Sequence, residues 1–159
     1  MFDAIQLLAT VIGLGLVIYQ LRRDSVWNRQ TKAHDTLNAM VSGDFVEILD
    51  ELLIDFDWDI VAPEQPYADV RQRLEMSGDV KDVTRMTART VHLLRVLETI
   101  TISCKKGLID EEICREYLYS ILINVHTNTA EFIASERLRR RKDSVFEHVE
   151  EYAKRWSPS

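Results

Sequence analysis

Hydrophobic and polar positions alternate with a helical period over most of the chain, and one stretch does not alternate at all. Residues 4 to 21, "AIQLLATVIGLGLVIYQL", run for 18 positions without a charge, and Gln6, Thr10 and Gln20 are their only amide or hydroxyl aliphatics. As a helix rising about 1.5 Å per residue the run reaches roughly 27 Å, close to the hydrocarbon thickness of a bilayer. Residues 25 to 41 then place Val26, Gln30, Ala33, Leu37 and Met40 on one stripe. No Gly or Pro stands between Leu16 and Ser42, so the two stretches can form one unbroken helix. Gly43 ends it. Phe45, Ile48, Leu49, Leu52 and Phe56 predict a second amphipathic helix over 45 to 56. "DFDWDIVAPEQP" predicts a loop stopped by Pro63 and Pro66, and a short helix over 67 to 75 follows, closed by Gly78.

The strongest periodicity comes next. Val83, Met86, Thr90, Leu93, Leu97, Ile100 and Cys104 alternate spacings of three and four without a slip, which predicts a long helix with one apolar seam. Lys105 and Lys106 suit its C-terminal dipole, and Gly107 suits the residue beyond the cap. Asp110 is placed to cap the next helix, with Glu111 and Glu112 in its first turn. That helix carries Cys114, Leu118, Ile121, Val125, Phe132 and Ile133, and a last one carries Val145, Val149, Tyr152 and Trp156. The tight connection predicts that the arms 83–104 and 110–133 pack antiparallel as the core of the domain, with Leu97 and Ile121 among their packing residues. No stretch of four or more residues shows convincing alternation with period two. The expected fold is all-α: a single N-terminal transmembrane helix within residues 1–24, then a cytoplasmic helical bundle over 25–159 built around this antiparallel hairpin.

Flanking charge gives the span an orientation. Asp3 precedes it, and Arg22, Arg23, Arg29 and Lys32 follow it, so the C-terminal side is expected in the cytoplasm and the N-terminus outside. Tyr19 and Trp27 bracket the arginines, as interfacial aromatics do. A cleaved signal peptide wants a basic start and a small-x-small cleavage site, and neither is present. Ala9 and Gly13 form a small-xxx-small pair at which a second helix can approach closely. The expected location is therefore a bacterial inner membrane, with the lipid bilayer as one partner.

Composition narrows the function classes. The 159 residues suffice for one ordinary domain. Only 5 Gly and 3 Pro argue against a many-stranded barrel or sandwich. A net charge of −6 disfavours nucleic acid as the main partner. Cys104 and Cys114 are too few for a disulfide scaffold, and in a reducing compartment they are expected to be free thiols.

Candidate chemistry is sparse. "DFDWD" puts Asp55, Asp57 and Asp59 at alternate positions like the start of an EF-hand loop, but Ile60 replaces the required Gly and Pro66 the bidentate Glu. The segment 44–82, with 12 acids and 3 bases, predicts a solvated acidic surface rather than a metal site. The basic run "RLRRRK", residues 137–142, suits a charged helix end, a neutralising partner for the acidic segment, or a contact to anionic lipid or RNA. Arg85 and His92, seven apart on one helix face, resemble the core of the HEPN ribonuclease motif, although Met86 stands where a polar residue is usual. Thr31, Arg89, Ile123 and Val145 stand three positions before the four histidines, so the Glu-x-x-His pattern of di-iron bundles fails throughout. Asn124, His126 and Asn128 form a polar patch expected to serve helix–helix hydrogen bonding. There is no Gly-rich phosphate loop, nucleophile elbow or Cys-x-x-Cys, and no cofactor is implied.

At "LLRVLETITISCKKGLIDEEICREYL", residues 93 to 118, the chain resembles a family of small bacterial and phage proteins of unknown function. That family carries one N-terminal span, a charged helix with a Trp near the membrane, and a helical hairpin with a Glu on its first arm and a Gly-hydrophobic-Ile-Asp-Glu turn. The matching residues are Trp27, Glu98, Gly107, Leu108, Ile109, Asp110 and Glu111, and the closing "FEHVEEYAKRW" matches its C-terminal end. The resemblance implies the architecture above and no reaction. The chain is therefore expected to be a membrane-anchored interaction or scaffold module, binding a protein partner or its own copies, with Gly13, Tyr19, Arg22, Arg23 and Trp27 at the anchor and its interface. A membrane-tethered HEPN-like ribonuclease acting through Arg85 and His92, and an accessory subunit of a larger membrane complex, are the alternatives.

Overall fold

The structure is a computed structural model that describes residues 2–41 and 43–158, with side chains described for all of these except 2–15, 40, 41 and 44. Six helices follow in order: α1 Phe2–Val41, α2 Asp44–Phe56, α3 Tyr67–Ser77, α4 Val80–Lys105, α5 Glu111–Arg140 and α6 Glu147–Trp156. Among the described residues there is no strand. The all-α expectation holds, and most of the helix boundaries fall within two residues of those the periodicity predicts.

α1 is unbroken through 40 residues, roughly 60 Å at helical rise. Every described residue from Leu16 to Asn28 is exposed, and only from Ala33 and Leu37 onward is the helix buried in the bundle. Most of the expected span, with Ala9 and Gly13, lies outside the residues whose side chains are described. Among the described residues, no helix is long and apolar enough to cross a membrane. Gly43 joins α1 to α2 because the two helices meet too tightly for a side chain: a Cβ there would stand 2.7 Å from the Ala39 carbonyl oxygen.

The seam of α4 is buried as its spacing predicts, from Met86 through Thr90, Leu93, Leu97 and Ile100 to Cys104. Its C-terminus closes as a Schellman motif. The Gly107 N–H donates to the Cys104 carbonyl and the Leu108 N–H to the Ser103 carbonyl, which requires Gly107 at φ +64°. Asp110 then accepts from the N–H groups of Glu112 and Ile113 and starts α5.

The arms of this hairpin are not the closest pair in the core. α6 packs on both α4 and α5 more extensively than they pack on each other, and α3 also lies against both arms. The hairpin is thus a frame filled by α6 toward its turn and by α3 further along. On α5 the buried set is Cys114, Leu118, Leu122, Val125, Asn128, Thr129, Phe132, Ile133 and Glu136, and Ile121 is only partly buried at the edge. The loop 57–66 also departs from expectation. Trp58 and Ile60 are fully buried, so a segment read as solvated acidic surface supplies two core side chains.

Candidate functional site

The chemistry-bearing residues gather in four places. Two of them hold the fold together, and the other two face outward.

The closing helix α6 is short and begins without a side-chain cap of its own, because its N-cap Phe146, at φ +55°, carries no side-chain acceptor. The cap comes from α4. Glu98 Oε2 accepts from the Val149 N–H at 2.9 Å and Oε1 from the His148 N–H at 3.4 Å, while the His148 ring Nδ1 lies 2.9 Å from the same Oε1. A carboxylate at a helix N-terminus meets both free N–H groups and the positive end of the dipole. At the other end Glu111, the first residue of α5, accepts from Arg155 at 3.0 Å and from the Trp156 indole N–H at 3.2 Å. Lys105 adds a 2.7 Å bond to Glu151. Two acids singled out by the resemblance, Glu98 and Glu111, therefore grip opposite ends of α6. Beneath this clamp Tyr152 is fully buried, its hydroxyl has no partner among the described residues, and burial pushes its pKa up to about 12. Cys104 and Cys114 are free and buried nearby. Their hydrogen bond and the burial hold the Cys104 thiol far above its ordinary value, which makes it inert.

The second structural cluster is Asn128. Its amide donates to the carbonyls of Ile60 at 3.0 Å and Ala62 at 2.7 Å and accepts from the Gln65 N–H at 3.0 Å. Asn124 adds a 2.7 Å bond to the Val61 carbonyl. The polar patch on α5 thus satisfies the backbone of the buried loop, not another helix. His126, between the two, is neutralised by burial, which lowers its pKa. The aspartates of "DFDWD" go to separate duties: Asp55 pairs with Arg85 at 2.8 Å, Asp57 with Arg73 at 3.3 Å, and Asp59 accepts from the N–H groups of Val61 and Ala62.

The residues weighed for ribonuclease chemistry are also placed. Arg85 is held by Asp55, Glu51 and Asp82 and stacks over Phe56 with its guanidinium carbon 4.8 Å from the ring centroid. His92 is exposed two turns on, and among the described residues no hydrogen bond joins it to Arg85, which is turned to Glu51, Asp55 and Asp82. In the basic run, Arg137 reaches the Val145 carbonyl and Glu150, and Arg139 and Arg140 both bind Glu136. These acids lie on α5 and α6, so the run does not neutralise segment 44–82. Lys154 and Arg137 together hold Glu150 at about 2, well below the usual carboxylate range.

Two outward features remain. A shallow apolar groove lies between α1, α2 and α4, lined by Ala39, Phe45, Val96 and Ile100 among others. A second groove, of about 350 Å³, lies between α1 and the α4–α5 turn, lined by Leu21, Asp24, Arg29 and Lys32 on one side and Gly107 and Leu108 on the other. It brings the hairpin turn beside the residues that follow the uncharged run, a juxtaposition that sequence spacing could not reveal. Tyr19, Arg22, Arg23 and Trp27 are all exposed on the same stretch of α1.

The profile of a domain of unknown function, DUF4760, matches residues 7–156. The chain belongs to the DUF4760 family. The expected kinship with a family of unknown function is thereby borne out at that level. The DUF4760 match begins within α1 and ends on Trp156, the last residue of α6, so the family includes the exposed helix as well as the bundle. No curated protein and no solved structure matches the chain.

Proposed function

We propose that this DUF4760 chain is a single-pass protein of a bacterial inner membrane, anchored through residues 4–21, with its helical domain on the cytoplasmic face. There it acts as an interaction or scaffold module for a protein partner or for its own copies. One observation carries the anchor: the uncharged run continues without a break into the helix that plants Ala33 and Leu37 in the core, and the described residues between are bare. Leu16, Val17, Ile18, Tyr19 and Leu21 are 47–64% exposed on that helix, a display of apolar surface that water does not reward and lipid does. Arg22 and Arg23 at the end of the run favour the cytoplasmic orientation.

An interaction role is supported by the outward surface. α2 turns Val46, Leu53 and Ile54 to solvent, and Ile54 is 77% exposed. The charged residues that carry catalysis elsewhere are used here for internal pairing, Arg85 above all. Membrane fractions washed with alkaline carbonate test the anchor, and a release of the chain into the soluble wash refutes it. C-terminal fusions to alkaline phosphatase and to a cytoplasmic reporter test the side, and an active phosphatase refutes the orientation. Cross-linking in intact cells with Ile54 replaced by a photoreactive residue tests the module. A cross-linked product, to a partner or to a second copy, is expected, and a chain that stays uncross-linked at Val46, Leu53 and Ile54 refutes the use of this face.

A further inference from the structure

We propose that the α4–α5 turn is a second point of contact with the membrane: Lys106 and Leu108, with Arg22, Arg23, Trp27 and Lys32 of α1, form a collar that binds anionic lipid headgroups. The inference rests on the anchored reading above and adds to it a lipid preference and a place for the hairpin tip.

The geometry starts from the groove between α1 and the turn. Gly107 and Leu108 sit against Leu21, the last residue of the uncharged run, and against Asp24, Ser25, Asn28, Arg29 and Lys32, which follow it on one face of α1. α5 leaves this turn alongside α1, and nearly two turns into α5 the His34 and Tyr117 rings meet edge to face at 6.3 Å. The hairpin tip thus points back toward the start of α1, to the level at which the apolar run ends. A headgroup layer at that level covers both.

Charge and apolarity at the tip fit that layer. Arg22, Arg23, Arg29, Lys32 and Lys106 form no ion pair among the described residues, whereas most arginines elsewhere in the bundle are paired. Lys105 is excluded from the collar, because Glu151 holds it at 2.7 Å. The nearby acids are few. Glu111 is paired with Arg155, which leaves Asp24, Glu112 and Asp110, whose charge stays in place although two backbone N–H groups bond it, against five cations without an ion pair. A chain of net charge −6 therefore presents a cationic end. Between these cations stand exposed apolar side chains: Leu21 at 64%, Trp27 at 69% and Leu108 at 51%. Leucine at this position of a Schellman motif ordinarily packs back onto its helix. Here Ile109 is buried in its place and Leu108 faces out. Cations interleaved with Trp and Leu suit the boundary between headgroups and acyl chains. An RNA backbone would meet the same cations but gains little from Leu21 and Leu108, so the bilayer is the favoured occupant.

The test uses the full chain in nanodiscs of phosphatidylcholine alone and of phosphatidylcholine mixed with phosphatidylglycerol. Hydrogen exchange is followed at the Lys106, Gly107 and Leu108 amides, whose bonds to Ile102, Cys104 and Ser103 must open for exchange. Exchange in the anionic discs is expected to be slower by about fivefold for each cation engaged, and the difference should fade in high salt. Lys106→Glu should remove most of it, while Lys81→Glu, exposed in the first turn of α4 at the opposite end of the hairpin, should leave it intact. Equal exchange in the two lipids, with the chain still held in the disc, overturns the collar and leaves the anchor standing. A chain that does not co-purify with the disc overturns both. Protection in neutral discs upon adding single-stranded RNA, matching that from anionic lipid, overturns the assignment to lipid.

Discussion

Replacing Glu98 by Ala should undo the closing helix more than any other single change of a partly polar residue in the bundle. The Glu98 side chain is 17% exposed, and three contacts converge on its two oxygens: the backbone N–H groups of His148 and Val149 and the His148 ring. Loss of a good N-cap costs about 0.5–2 kcal/mol. Here the cap is also charged and partly sheltered, and its removal leaves two donors with little access to water, each a further cost of roughly 1–3 kcal/mol when fully buried. Partial exposure trims that sum, so about 2–4 kcal/mol is the expected loss, or roughly 4–16 °C in Tm for a domain of this size. Glu98→Gln keeps an acceptor and loses the charge, so it should fall about midway between Ala and the native residue. Thr99→Ala, one residue on and exposed, is the control and should cost under about 0.5 kcal/mol. The measurement is urea or thermal unfolding of the detergent-solubilised chain, followed by far-ultraviolet circular dichroism and by tryptophan emission. Trp156 is buried at the end of α6 and reports its release once Trp27 and the equally buried Trp58 are replaced by Phe in every variant compared. If Glu98→Ala and Thr99→Ala shift the midpoint equally, the apolar face of Val149, Tyr152 and Trp156 holds α6 unaided, and the capping argument fails.

Other outcomes can be checked in the same assay. Asn128→Ala strands two carbonyls and one N–H of the buried loop and should cost about 2–4 kcal/mol, whereas Asp57→Asn, whose side chain is 91% exposed, should cost under about 0.5 kcal/mol. Equal effects would place the loop's anchor elsewhere. Leu97→Ala, fully buried, should cost roughly 2–5 kcal/mol, and Ile121→Ala, at the core's edge, only about 1–2 kcal/mol. The reverse order would mean that the core is centred on the other face of α5. Acid should weaken the domain in two stages. The His126 pKa is lower folded than unfolded, so the unfolded chain binds the proton more readily and stability drops as pH falls below about 6.5. Glu150 is held at about 2, so the stability it supplies is complete above the ordinary carboxylate range and is lost as pH falls toward 2. His126→Asn should flatten the first stage alone, and a first stage of unchanged size in that variant would refute its assignment.

What could be read from the sequence was local. The α4 seam was legible because every step in it is three or four residues and Gly107 marks its end, whereas its start is set by the Asp79 side chain, which caps the helix four residues before the seam begins at Val83. α5 was harder. Its buried positions include Cys114, Leu118, Val125, Asn128 and Phe132, which keep a heptad, and also Leu122, Thr129, Ile133 and Glu136 beside them, because α3 and α6 cover two adjoining faces. A single heptad seam therefore lands on Ile121, one residue short of the buried Leu122. The loop misled for a different reason. Phe56, Trp58 and Ile60 are buried in alternation with Asp55, Asp57 and Asp59, a two-residue rhythm masked by the charge of the segment, and the groups that satisfy the buried backbone, Asn124 and Asn128, stand more than 60 residues away. Glu98 likewise occupied a position that looked like the polar flank of a helix, and its partner helix begins 49 residues later. The groove at the hairpin tip depends on how α1 lies against α5, which no periodicity encodes.

The unbroken α1 also sets a phase. With no Gly or Pro between Leu16 and the buried Ala33, the azimuth of the bundle about the helix axis is locked to that of residues 4–21. One alanine inserted within residues 22–28 turns the whole bundle by about 100° and raises it by about 1.5 Å, whereas seven inserted together turn it back to within about 20° of its start at a height of roughly 10 Å. A helix that behaves as a shaft carries torque: rotation at one end arrives at the other undiminished, and only a flexible coupling, such as two glycines in place of Ser25 and Val26, would let the two ends turn independently.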